Sequence, residues 1–276
     1  MLFLASVLWS FSGVAVKLAQ VEPAAFAAVR SLGAGVACSL LLLIHRRPVV
    51  WPATRLMLPT AVVHAVMVGS LIAALTFASA AEGILLQYTG PLWCAAFGSL
   101  LFGRRVRRAL VLPMMLALLG VAVTVLGGPI DPLGSGFGIL SGAAYGLVIV
   151  MLDRLNGDRP GLDVVAVVAI NNLASVALLL PAAWLLADGS LTPGRLAFVL
   201  GVGVVQMAVP YVLFQRAIPH VGPVAASLLV LAEPVLNPTW AWLLAGDVPP
   251  TRALIGGALI LAAVTAAALA PRPRTG

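Results

Sequence analysis

The sequence predicts an all-α membrane protein with ten transmembrane helices in two inverted five-helix repeats. Three observations carry this: the composition, the spacing of long apolar runs, and a likeness between the two halves of the chain. Of 276 residues, 62% are hydrophobic and only 9% charged, and the mean hydropathy is +1.10. A soluble domain has an apolar fraction nearer a half and roughly a quarter of its residues charged. Polar sequence is therefore too scarce to coat a water-soluble globule. In a soluble protein the net charge of +7 would point to nucleic acid. Here the basic residues fall in short clusters between apolar runs, and no nucleic-acid partner is expected. Cys38 and Cys94 lie inside apolar runs and offer neither a disulfide framework nor metal-ligand spacing.

A spanning helix needs about 20 mostly apolar residues. Such runs fall at 1–19, 23–44, 57–79, 83–102, 109–127, 134–152, 163–187, 196–215, 222–245 and 253–270, joined by short connections. The first begins at Met1 without a basic flank and is followed at once by another run. It reads as a helix of the mature bundle, with or without a short leader ahead of it, and not as a signal peptide. The second carries Arg30 within the span. The third and fourth are divided at Glu82-Gly83. The fourth holds Tyr88, Pro91 and Trp93, and the fifth follows the cluster Arg104, Arg105, Arg107 and Arg108. Gly134, Gly138, Gly142 and Gly146 line one face of the sixth, a spacing that lets two helices approach closely within the chain. The seventh carries Asn171 and Asn172, the eighth Gln206, Tyr211 and Gln215, and the ninth Glu233-Pro234; the tenth is almost wholly apolar. Runs this long without two-residue alternation exclude a β-barrel, the other structure that satisfies its backbone in lipid.

Orientation follows from the arginines. With the N-terminus inside, Arg46, Arg47, Arg55, Arg104, Arg105, Arg107, Arg108, Arg154, Arg159, Arg216, Arg272 and Arg274 share one side, against Lys17, Arg195 and Arg252 on the other. The positive-inside rule then places both termini in the cytoplasm, and the location expected is a bacterial inner membrane.

The two halves, 1–127 and 128–276, resemble each other. Pro91 aligns with Pro234 and Gly103 with Gly246 at one offset, and Trp9 aligns with Tyr145. Each half holds five runs, an odd number, so the halves insert in opposite senses, as in many secondary transporters. A bare ancestral duplication is the alternative. In the ninth run, Ala225-Ala226-Ser227-Leu228-Leu229-Val230-Leu231-Ala232-Glu233-Pro234-Val235, ending in Gly246-Asp247, resembles the Glu-Pro helix of the drug/metabolite transporter superfamily, and within it the EamA-type carriers. Trp9-Ser10 resembles that family's Trp-Gly in the first helix, and Arg30 its arginine in the second. The resemblance covers nearly the whole chain and implies ten helices and export of small metabolites. The chain departs from the pattern at Arg104, where an acid is usual, and at Gly90, which precedes Pro91 in place of Glu.

Glu233 is the strongest functional candidate, because an acid at mid-span costs about 2.5–3.5 kcal/mol on an insertion scale and needs a compensating partner. Pro234 and Pro91 mark helix breaks at matching places in the two halves, where transporter sites form. Arg30 suits a two-pronged clamp on a carboxylate, or a structural ion pair. Trp9, Tyr88, Trp93, Tyr145 and Tyr211 are candidate substrate contacts, with packing as the alternative for each. Ser10, His64, Asn171, Asn172, Gln206, Gln215 and Asn237 rank lower, as interhelical hydrogen-bonding groups. No phosphate loop, zinc motif or nucleophile elbow is present, so neither cofactor nor metal is expected. The reading is a non-enzymatic exporter of amino acids or amphipathic compounds by alternating access, with small solutes, protons and membrane lipids as partners. It acts as a monomer or weak homodimer. The alternative, an intramembrane or lipid-modifying enzyme, requires a paired constellation at one depth, such as Ser with His.

Overall fold

The computed structural model describes residues 1–45, 55–77, 86–125, 131–245 and 251–270. Among these no strand occurs. The α-helices are α1 (Leu2–Ser10), α2 (Ser12–Ala19), α3 (Pro23–His45), α4 (Met57–Phe77), α5 (Gly90–Phe102), α6 (Val111–Val125), α7 (Pro132–Asp158), α8 (Val164–Leu185), α9 (Pro193–Gly203), α10 (Val209–Val221), α11 (Pro223–Leu229), α12 (Glu233–Ala245) and α13 (Thr251–Leu269). Five stretches are long and apolar enough to cross a membrane: Pro23–Ile44, Met57–Ala74, Pro132–Asp158, Val164–Leu185 and Pro193–Val221. Shorter apolar helices of 10–17 residues occupy the other expected runs. The Glu82-Gly83 division lies outside the described residues.

Local chemistry starts these helices where the sequence changes character. Proline opens α3, α7, α9 and α11, where its missing N–H costs nothing and its fixed φ suits the first turn. Ahead of α7, Asp131 accepts from Gly134 N at 2.7 Å, and ahead of α8, Asp163 accepts from Val165 N at 2.9 Å. Glu22 accepts from Ala24 N and Ala25 N at 2.9 and 2.8 Å at the head of α3. Each carboxylate satisfies donors that have no partner within the helix and sits at the favourable end of its dipole.

Packing follows the small residues. A Cβ at Gly142 would lie 2.6 Å from Thr89 Oγ1, and one at Gly146 would lie 2.5 Å from Cys94 N. The glycine face of α7 is thus an intramolecular seam against α5, as its spacing predicts. Gly120 of α6 plays the same part against the Gly256 carbonyl of α13, and Gly203 of α9 against the Arg30 carbonyl of α3. The interior is apolar: Phe214, Ile149, Leu152, Leu155 and Ile218 are among its largest fully buried side chains. Large apolar side chains also cover the outside, with Leu100, Trp184 and Leu269 each about four-fifths exposed. Water would not tolerate so much exposed apolar surface, whereas lipid tails do.

Candidate functional site

Four irregular turns interrupt the helices within their apolar runs. Phe11 separates α1 from α2 with φ −79° and ψ 0°. Tyr88 and Thr89 form a turn just ahead of α5. A π-helical turn, Val204–Ala208, joins α9 to α10, and a 3₁₀ turn, Val230–Ala232, joins α11 to α12. Proline explains the last two. Pro210 has no N–H for the Gln206 carbonyl, and Pro234 has none for that of Val230; each ring also crowds the carbonyl four residues back. The chain widens to a π turn in one case and tightens to a 3₁₀ turn in the other. Pro91 lies in the first turn of α5, two residues after the irregular turn, where no helical hydrogen bond is lost.

These turns surround one cavity of about 250 Å³. Trp9, Arg30, Tyr88, Tyr145, Tyr211 and Glu233 all line it, and the chain has only three tyrosines. Gly90 admits Tyr145: a Cβ there would come within 2.5 Å of the Tyr145 ring. Tyr88 lies beside the Glu233 carboxyl in this lining. Arg30 lies with its guanidinium 5.5 Å from the centre of the Phe26 ring, and among the described residues its Nε has no hydrogen-bond partner. Arg30 and Glu233 face the same cavity, and the ion pairs among the described residues do not include one between them. Trp9 meets Tyr211 edge-on, with ring centres 5.1 Å apart. Trp93 is not among the lining residues; it stacks on Phe97 at 5.9 Å and donates to Thr89 Oγ1 at 3.2 Å. Pro91 and Pro234 shape the wall without lining it.

Behind Tyr211 stands His64, its ring centre 5.4 Å away. His64 Nδ1 lies 2.9 Å from Ser175 Oγ, while the Ser175 hydroxyl donates to the Asn171 carbonyl at 2.9 Å. The serine proton is therefore spent, and Nδ1 must be the donor of the His–Ser bond. A nucleophilic serine needs the opposite arrangement, with its own proton directed at the imidazole. Both side chains are fully buried and neither lines the cavity. The pair is an interhelical fastening of α4 to α8.

Several lining or bracing residues had no strong signal in the sequence. Ser10 Oγ donates to the Val7 carbonyl at 2.7 Å and accepts from Trp240 Nε1 at 2.8 Å. The Trp240 ring stacks on Phe11 with centres 4.8 Å apart, so α12 is fastened to the break between α1 and α2. Gln206 and Met207 reach the cavity from the π turn, and Met67 reaches it from α4. Gln206, a polar residue four positions before a proline, was legible in principle; Met67 and Trp240 were not. Among the described residues, no group of His, Cys, Asp and Glu is placed to hold a metal ion.

An all-α bundle with several long apolar helices and an apolar exterior is a multi-pass membrane protein. The chain belongs to the EamA-like transporter family, which matches residues 1–126 and again residues 132–269; it is a membrane transporter. It is 32% identical over 211 residues to a protein from Archaeoglobus fulgidus named as an uncharacterized transporter, covering 76% of this chain and 75% of that one. A solved crystal structure is similar with a TM-score of 0.80 at 21% identity, over 97% of this chain and 96% of its own. That likeness shows the fold alone.

Proposed function

We propose that the chain exports small metabolites, amino acids or amphipathic compounds, by alternating access in a bacterial inner membrane. In this reading residues 1–127 and 128–276 form two inverted five-helix repeats with both termini in the cytoplasm, and they rock about the central cavity. The observation that carries the proposal is the convergence of Arg30, Glu233 and all three tyrosines on one cavity at the irregular turns. The family's match to two successive segments supports the repeat. So do the irregular turns at Tyr88–Thr89 and Val230–Ala232, which fall in corresponding helices of the two halves.

The chemistry of the cavity defines the solute. The Arg30 guanidinium receives a carboxylate, and Glu233 receives an ammonium group or a proton. Trp9 and the tyrosine rings pack against an apolar or aromatic body. Glu233 doubles as the coupling group, exchanging its proton when solute or water enters beside Tyr88. A thermal-shift panel of amino acids, nucleosides and amphipathic cations tests this reading. Zwitterionic solutes with apolar side chains should stabilise the parent protein and fail to stabilise Arg30→Gln. Stabilisation by nucleosides or cations alone would reject the assignment.

A further inference from the structure

A second recess lies away from the central cavity, at the end of the bundle that carries the α5–α6 connection. Its volume is about 300 Å³, and Arg104, Arg105 and Arg107 line it together with Leu110, Val224 and Ala225. No carboxylate is among its lining residues within the described chain. Arg104 is paired with Asp153. Arg107 reaches across to the Val221 carbonyl at 3.4 Å, and Arg105 pairs with no acid among the described residues. Gly103 takes φ +62°, a left-handed conformation that ends α5 and turns the arginine run back over the bundle.

Membrane insertion alone would be served by arginines anywhere in this connection. It does not require three of them to converge on a concave, partly apolar recess. Arg105 brings to it a guanidinium with no acidic partner among the described residues, and a guanidinium fork matches phosphate oxygens in pairs. The helices that carry the recess also present Leu100, Leu101, Val111 and Leu112 to the surroundings, each at least half exposed.

We propose that this recess binds the phosphate of an anionic phospholipid headgroup, with Arg105 and Arg107 as its principal ligands and the acyl chains lying against the ends of α5 and α6. The site is separate from solute transport and does not depend on the substrate assigned above. The test uses the full chain, delipidated in neutral detergent, with retention of phosphatidylglycerol and phosphatidylcholine compared by native mass spectrometry. Each arginine near an anionic headgroup contributes about fivefold in binding. Phosphatidylglycerol should thus be held preferentially, and Arg105→Gln should weaken it about fivefold. The charge-conserving Arg105→Lys should lose less. Arg154→Gln, at an exposed arginine paired with Asp158 at 3.0 Å, should bind like the parent. Equal losses in Arg105→Gln and Arg154→Gln would reduce the effect to diffuse surface charge and overturn the site. So would equal retention of the two lipids. Inorganic phosphate that displaces phosphatidylglycerol and protects the protein equally well would assign the recess to a soluble anion and overturn the lipid. Should Arg105→Gln fold poorly, Arg105→Lys against Arg154→Gln retains the comparison.

Discussion

Gly146→Ala and Gly136→Ala should change stability in opposite directions, although both lie on α7. A Cβ at 146 would stand 2.5 Å from Cys94 N, 2.7 Å from the Gly90 carbonyl oxygen and 2.7 Å from Trp93 Cβ. Ordinary contact begins near 3.4 Å, and two of these three neighbours are backbone, which yields only if α5 moves off α7. Overpacking of this kind costs about 1–3 kcal/mol, and a backbone obstacle puts it in the upper half of that range. Alanine returns about 1 kcal/mol in helix propensity, leaving a net loss of about 1–2 kcal/mol. At position 136 a Cβ meets nothing within 4 Å, so only the propensity gain remains. The assay is thermal unfolding of both variants in one detergent. Gly146→Ala should melt several degrees below the parent and Gly136→Ala level with it or above. Because Gly146 adjoins Tyr145, the first variant should also lose stabilisation by the best-binding solute. A Gly146→Ala protein as stable as the parent would refute the close seam and the placement of Tyr145 that depends on it.

Glu233→Gln keeps the volume but cannot cycle a proton; it should retain equilibrium exchange in proteoliposomes and lose export driven by a pH gradient. Unimpaired uphill export by this variant would make Glu233 structural. Asp153→Asn leaves Arg104 without its partner. Since the Arg104 side chain is 42% exposed, solvent screens the loss, and the destabilisation should be about 1 kcal/mol and shrink in high salt. A loss unaffected by salt would contradict an electrostatic role. Trp240→Phe preserves the stacking on Phe11 and removes the donor to Ser10, so it should cost about 0.6 kcal/mol, the usual worth of an interhelical hydrogen bond. A change in melting temperature as large as that of Gly146→Ala would show that more than this bond holds α12 to the first helix.

Helices were legible in the sequence because lipid leaves the backbone few options, so a long apolar run such as 163–187 has one available conformation. The break at Val230–Ala232 was legible through Pro234, whose ring chemistry acts locally. The break at Phe11 was not: no proline marks it, Gly13 two residues on is one glycine among 27, and the ring that stacks on Phe11 is that of Trp240, 229 positions along the chain. The π turn at Val204–Ala208 had a local cause in Pro210, but a proline alone does not say whether the chain widens or tightens. Tyr145 was found by aligning it with Trp9 in the other half. Tyr88 and Trp93 looked equivalent beside Pro91. The turn at Tyr88–Thr89 separates them, with Tyr88 lining the cavity and Trp93 against Phe97 on α5.

In the proposed function the cavity walled by Arg30, the three tyrosines and Glu233 carries a solute across the membrane by alternating access. Counterflow in proteoliposomes tests it most directly. Vesicles loaded with the best-stabilising unlabelled solute are diluted into a trace of the labelled form, and uptake and chemical identity are followed together. The account predicts transient accumulation of unaltered label that depends on the internal solute and disappears in Arg30→Gln. Uptake indifferent to internal solute, a chemically changed label, or parent-like accumulation in the Arg30→Gln variant would contradict it.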